Sequence, residues 1–215
     1  MLDNKNLISR LLKYRNILIK LKNIGMVKVF SENLSDASGF AGSQIRKDLS
    51  TIGIEGKKKG GYNLQEIMPK LDNFLGKNEE QKIIIVGCGR IGRAIIEYEN
   101  FHNNNMKIVA GFDTDEEKQS TVSNPPIYPL SELPAIVKNH QVKLGIITVP
   151  ESCATEVYEQ MIKSGIKGIL NFARVHLHES ENVFVNTMNI EFEIENLSYF
   201  VNVANKMKGK KEAVR

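Results

Sequence analysis

Tryptophan is missing from this chain, and cysteine nearly so: Cys88 and Cys153 are the two among 215 residues. Two cysteines make no disulfide framework, and these lack the spacing of metal ligands, which sets aside stapled mini-domains and zinc modules. Histidine is sparse too, at four. His176 and His178 share one side of a short stretch with no third ligand nearby, so no metal is expected. No apolar run approaches the roughly 20 residues that a membrane span needs, and no signal-peptide pattern follows Met1. With 41% hydrophobic and 25% charged residues, the expectation is an ordinary globular protein of the cytoplasm.

Charge is present but unevenly placed. Residues 1–80 hold 14 Lys and Arg against 9 Asp and Glu, residues 81–204 hold 10 against 15, and residues 205–215 hold 5 against 1. A basic amino-terminal part followed by an acidic one suggests that the first touches a polyanion and the second does not.

The acidic part opens on the most informative stretch. Ile83, Ile84, Ile85 and Val86 form an apolar run too short for a helix, followed by Gly87, Cys88, Gly89, Arg90, Ile91 and Gly92. This is the dinucleotide-binding spacing: one glycine for the tight turn, one for close approach of backbone to a pyrophosphate, one for packing of the next helix. Cys88 reads as a small residue between two of them. A second strand over Lys107–Phe112 ends in Asp113, about 20 residues beyond the last glycine. A carboxylate there accepts from a ribose 2′-hydroxyl and repels a 2′-phosphate, which favours NAD(H) over NADP(H). A βαβ unit that binds another nucleotide, or none, is the alternative.

Before this, leucines and isoleucines at helical spacing predict a helix from Leu7 to Asn23. Ser31 is placed to cap a short helix over Glu32–Ala37, and Ser43 to cap another from Gln44 to about Ile52. Two short helices joined through glycine make a helix-turn-helix, whose second helix presents Ser43, Gln44, Arg46 and Lys47 to phosphates and base edges. A three-helix packing unit with a solvated basic face is the blander alternative. Ile52–Ile54 and Gly61–Leu64 flank a glycine-bearing loop, as in a winged helix, with Lys57, Lys58 and Lys59 at the tip for sequence-independent phosphate contacts. A further helix is expected over Gln65–Leu75 and a domain boundary in the polar stretch after it.

Downstream, Leu144–Ile147 reads as a buried strand with Thr148, Val149 and Pro150 at its carboxyl end, where ligands sit in open α/β sheets. Glu151–Ser164 reads as a helix and Ile166–Phe172 as a strand, with Asn171, Phe172 and Ala173 facing the crevice. Asn171 suits either a hydrogen bond to a nicotinamide or a turn. Val183–Met188 completes the sheet. Ile190, Ile194, Leu197, Val201 and Ala204 then recur at spacings of four and three, with Phe192, Tyr199, Phe200 and Val203 on other faces. A terminal helix apolar on several sides suits packing against a second subunit, with docking on its own domain as the alternative.

Taken together, Gln44–Ser50, Gly60-Gly61-Tyr62, Gly87–Gly92, Gly111-Phe112-Asp113, Thr148-Val149-Pro150, Gly165–Ala173 and Leu197–Phe200 resemble the redox-sensing transcriptional repressor family Rex over nearly the whole chain. The resemblance implies an α/β protein with a winged helix-turn-helix DNA-binding domain (1–78), a Rossmann-type parallel-sheet domain for NADH or NAD+ (79–190) and a domain-swapped dimerisation helix with a basic tail (191–215). It implies a homodimer on palindromic operator DNA that releases its site when NADH binds, and it adds Tyr98 and Ile190 to the cofactor residues and Gly61 and Tyr62 to the DNA residues. Three positions depart from the family pattern. Arg174 stands where proline is usual, Asn189 where many members carry an acid that would pair near Tyr98 and Arg15, and Thr51-Ile52 where an aromatic pair is usual. Two rivals stay open: a repressor sensing another nucleotide such as NADPH or an acyl-CoA, and an NAD-dependent dehydrogenase, for which no general base is evident.

Overall fold

The computed structural model describes residues 5–56, 60–98, 105–180 and 182–212, with side chains described as far as residue 203. The chain divides into two compact units, Met1–Glu80 and Gln81–Arg215, each with its own core.

In the first unit α1 (Lys5–Asn23), α2 (Ser31–Ser38), α3 (Gly42–Thr51) and α4 (Leu64–Phe74) surround one apolar cluster. Leu11, Tyr14 and Leu18 of α1 meet Leu34, Ile45, Leu49 and Leu71 there, all without solvent exposure. The cores of α2 and α3 lie where the pattern of apolar residues puts them, but both helices start differently from expectation. Ser31 is the first residue of α2 and not its cap; Phe30 holds the cap position, and its N–H donates to Asn33 Oδ1 at 2.8 Å. Ser43 is likewise inside α3, which starts at Gly42 after Ala41 with no side-chain cap. Ser31 is engaged elsewhere, because its Oγ accepts from Arg46 Nη1 at 2.7 Å.

The expected hairpin is also corrected. β2 (Tyr62–Asn63) pairs antiparallel with β1 (Lys28–Val29), which precedes α2, and not with the segment Ile52–Ile54. Gly61 explains the tight entry: it has φ 64°, and a Cβ would stand 2.5 Å from the carbonyl oxygen of Val29. The lysine tip, Lys57 to Lys59, lies outside the described residues.

The second unit is a six-stranded parallel sheet in the order β5-β4-β3-β6-β7-β8. Its strands are β3 (Gln81–Val86), β4 (Met106–Phe112), β5 (Ile127–Tyr128), β6 (Leu144–Ile147), β7 (Gly168–Asn171) and β8 (Phe184–Thr187). Burial on both faces accounts for the continuous apolar runs. Ile84 and Val86 enter one cluster with residues of α6 (Leu133–His140) and α7 (Glu151–Lys163), while Ile83 and Ile85 enter another, against which Ile95 and Ile96 of α5 (Arg90–Ile96) pack. The two-residue β5 was not anticipated from the sequence.

The chain order reverses at β3, which has β4 on one side and β6 on the other. Open α/β sheets leave a crevice at such a point, beyond the carboxyl ends of the strands. The last element, α8 (Ile190–Glu212), begins with Asn189, whose Oδ1 accepts from the N–H of Phe192 at 3.0 Å. Its large apolar side chains are exposed: Leu197 at 65%, Phe200 at 66% and Ile194 at 63%.

Candidate functional site

Beyond β3 and β6 the structure opens a cleft of about 780 Å³. Its lining includes Gly87, Gly89, Arg90, Ile91, Asp113, Thr148, Val149 and Pro150, so most residues singled out as cofactor-binding converge on one space. The three glycines differ in what surrounds them. At Gly87, with φ 97°, a Cβ would press on the backbone of Thr148 at 2.7 Å; at Gly92 it would come within 2.0 Å of the Gly87 carbonyl oxygen; at Gly89 it would meet nothing within 4 Å. The first and third close the loop against its neighbours, and the second leaves room beside the backbone, as the dinucleotide spacing requires. Thr148 ties the loop to β6 by donating from Oγ1 to the Gly87 carbonyl at 2.6 Å.

Asp113 stands at the end of β4 and holds this loop from the other side: its Oδ2 accepts from the N–H of Cys88 at 2.7 Å and its Oδ1 from the N–H of Asp115 at 3.0 Å. Cys88 itself is fully buried, its thiol facing the Phe112 carbonyl. Burial first, and the Asp113 charge second, push that thiol up to about 11, so it rests protonated at neutral pH. This fits the reading of Cys88 as a small residue in the loop.

Among the residues of the cleft that were not foreseen are four that carry polar chemistry: Asp115 and Lys118 from the stretch after β4, and Cys153 and Glu156 from α7. Lys118 Nζ lies 2.9 Å from Asp115 Oδ2 and 3.6 Å from Asp113 Oδ1. A hydrogen bond from Lys118 holds the Asp115 carboxyl below the usual carboxylate range, and the same contact raises the lysine.

Other expected cofactor residues do not line this cleft. Asn171 is completely buried: its amide donates to the carbonyls of Ala173 and Val175, both at 3.0 Å, and its Oδ1 accepts from the N–H of Ala173 at 2.9 Å. It organises the turn after β7, which is the second of the two roles its type suits. Ala173 is buried beside it, and Phe172 packs against the sheet. Tyr98 lies with Ile91 and Ile95 along a shallow apolar groove on α5, and Ile190 is exposed at the start of α8. Arg174 pairs with Glu191 in the first turn of α8 at 2.9 Å, which offsets the charge that this position adds.

In the first unit the lining of a second cleft, of about 520 Å³, includes Arg46 and Ser50 of α3, Phe30 and Ser31 at the start of α2, and Gly61 and Tyr62 of the β2 segment, with the carboxylates Glu32 and Glu55 also on its wall. Arg46, Gly61 and Tyr62, proposed separately for DNA, therefore meet. Ser43, Arg46, Lys47 and Ser50 are exposed along α3, and Ser50 was not anticipated, although it continues the same face by helical spacing. Gln44 is used differently: its Nε2 donates to Asp48 Oδ1 at 2.7 Å. Asp48, 2% exposed, also accepts from Arg10 at 2.6 and 2.9 Å and from the Tyr14 hydroxyl at 2.9 Å. Arg15 pairs inside this unit with Asp72, at 2.5 Å.

Comparison with known proteins covers both units. Residues 5–50 match the family described as putative DNA-binding protein N-terminus, and residues 78–175 match the CoA binding domain family. Proteins named redox-sensing transcriptional repressor Rex from several serotypes of Streptococcus pyogenes are 35% identical over 196 residues, 90% of this chain and 92% of theirs. Among solved structures, RSP, a Rex-family repressor, in complex with β-NAD+ and operator DNA superposes with a TM-score of 0.88 at 25% identity, over 98% of each chain. RSP in complex with β-NADH gives 0.84 at 25% identity, over 97% of this chain and 99% of that one. The chain belongs to the Rex family of redox-sensing transcriptional repressors.

Proposed function

We propose that this protein is a transcriptional repressor that binds operator DNA through its amino-terminal unit and senses the NADH/NAD+ balance through the cleft beyond β3 and β6, releasing DNA when NADH binds. The observation that carries this is the presence, in one chain, of a glycine loop with an acidic residue at the end of the second sheet strand and a helix-turn-helix unit with an exposed basic helix. RSP, its structural relative, has been solved with β-NAD+ and operator DNA and with β-NADH. The cleft fits a dinucleotide: Gly89 leaves space beside the loop, and Asp113 is fixed where a ribose hydroxyl would meet it. What a bound dinucleotide supplies is a ring that is neutral when reduced and cationic when oxidised. Apolar walls such as Val149 and Ile91 disfavour a desolvated cation, so the two forms suit a closed site unequally.

On the DNA side, Ser43, Arg46, Lys47 and Ser50 on α3 face the duplex, with Gly61 and Tyr62 beside them and Lys57, Lys58 and Lys59 adding phosphate contacts. Gln44 contributes less, being held by Asp48. The domain limits 1–78, 79–190 and 191–215 follow from this division of labour. The exposed seam of α8 is read as the interface of a homodimer with exchanged terminal helices, so that two reading helices address a palindrome with half-sites about 34 Å apart or a multiple of that. A sensor is favoured over a dehydrogenase because the relatives that match over nine-tenths of the chain are named transcriptional repressors. A repressor acts where its operator is, which places it in the cytoplasm.

The test is operator binding titrated with each dinucleotide. NADH should weaken binding and NAD+ should not; moving a dimer from about 1:99 to 99:1 between states needs a preference near 5.5 kcal/mol. If neither ligand alters affinity, the sensing role is wrong even where DNA binding stands.

A further inference from the structure

Lys118 is a cation in a place where the assigned ligand would not need one. It sits at the end of the cleft closed by Asp113, and its ammonium lies 3.6 Å from the carboxylate that meets the ribose in the reading above. A positive group within a few ångströms of a ribose 2′ position is what proteins use to hold a 2′-phosphate. Here a second carboxylate takes it. Asp115 Oδ2 binds the ammonium at 2.9 Å, and Asp115 Oδ1 accepts the N–H of Glu117 at 3.1 Å, capping the 3-10 turn Glu116–Lys118 that carries the lysine. One side chain thus both shapes the turn and claims the charge.

We infer that Asp115 is a positioning residue for dinucleotide choice: by pinning Lys118 and offsetting its charge it denies a 2′-phosphate its counter-ion, so that NADH is accepted and NADPH refused. The inference rests on the dinucleotide reading of the cleft and extends it from Asp113 to a three-residue set. Asp113, Asp115 and Lys118 together carry one negative charge in excess, which opposes a phosphate; Arg93, whose charge also reaches Asp115, is the same in every variant. Without the Asp115 charge, Asp113 and Lys118 cancel. With both acids neutral, the lysine alone remains, and the end attracts one. Asp113 is the weaker of the two clamps on Lys118, at 3.6 Å against 2.9 Å for Asp115, and its oxygens also accept backbone N–H groups from Cys88 and Asp115.

Asp115→Asn separates the two duties of the residue, because the amide oxygen still caps the turn while the charge is gone. The experiment titrates full-length protein with NADH and with NADPH, following the emission of the reduced nicotinamide, and checks the fold of each variant by thermal melting. The expected result is that the ratio of NADPH to NADH dissociation constants falls about tenfold in Asp115→Asn. It should fall further in Asp113→Asn with Asp115→Asn, and return toward the parent value when Lys118→Ala is added. Asp115→Glu should keep most of the discrimination. An unchanged ratio in Asp115→Asn, or equal weakening of both ligands, overturns the inference while leaving the NADH reading in place. Failure of the parent protein to bind NADH overturns both.

Discussion

At Asp48 one carboxylate joins two helices of the first unit, receiving Arg10 and Tyr14 from α1 and Gln44 from its own helix. Burial pushes this carboxyl up, but hydrogen bonds from Arg10, Gln44 and Tyr14 outweigh it, and the net shift is downward. A carboxyl with a lowered folded-state pKa stabilises the fold above its unfolded value. That contribution is lost as pH falls below about 4 and through the folded value. Replacing Asp48 by Asn leaves the Arg10 charge unmatched and should cost about 3 kcal/mol, the low end for a broken buried pair because Arg10 keeps some contact with water. Urea unfolding at neutral pH checks the size, and repetition at acid pH should show the difference between parent and variant shrinking. Sequence reading put Asp48 on the reading helix but could not see this role, since its partners on α1 lie 38 and 34 positions away. The cysteines allow a second test. Cys88 is buried with a raised pKa, whereas Cys153 is exposed and lines the cleft. Iodoacetamide should add one group to native protein and two to denatured protein by mass spectrometry, and NADH should slow the native reaction.

The glycine loop makes a prediction about an element. Ala at position 89 meets open space, so Gly89→Ala should melt with the parent protein yet bind NADH at least tenfold more weakly, because the added methyl stands where the pyrophosphate approaches. Gly92→Ala should lose stability as well as binding, because its Cβ collides with the Gly87 carbonyl and α5 must move off the sheet. Melting curves and NADH titration of the pair separate these outcomes. This loop and β3, β4 and β6 were legible because burial on both faces writes itself as a run of β-branched residues, and because each glycine answers a local steric demand. The start of α3 was not, since serine caps are optional and here Ala41 leaves the end uncapped. Nor was β1: two residues carry no periodicity, and their pairing with β2 spans more than thirty positions. Lys118 and Asp115 were passed over for a related reason. A polar loop looks the same in sequence whether its charges are solvated or locked together.

At the scale of the whole molecule, α8 carries the largest exposed apolar surface among the described residues. Ile190, Phe192, Ile194, Leu197, Tyr199, Phe200 and Val201 are each more than half exposed, more apolar surface than a monomer ordinarily leaves to water on one helix. The described links of this helix to its own unit include the Asn189 cap and the Arg174–Glu191 ion pair, and an exposed pair of that kind contributes little. On the homodimer reading proposed above, a second copy covers this seam. It also supplies what the basic first unit needs: two weak DNA contacts joined in one body exceed either alone by a factor of 10² to 10⁴ when both half-sites are reached together. Leu197→Glu with Phe200→Glu places charges in that seam without touching either core. Light scattering should then report a monomer in place of a dimer, with the melting of the nucleotide unit little changed and NADH still bound, while affinity for a palindromic operator drops by at least a hundredfold. Affinity for a single half-site should change much less, because α3 and its basic face are intact. Retention of the parent mass together with parent operator affinity would mean that α8 is not the interface, and the link between the dinucleotide cleft and the DNA readers would have to run through another surface.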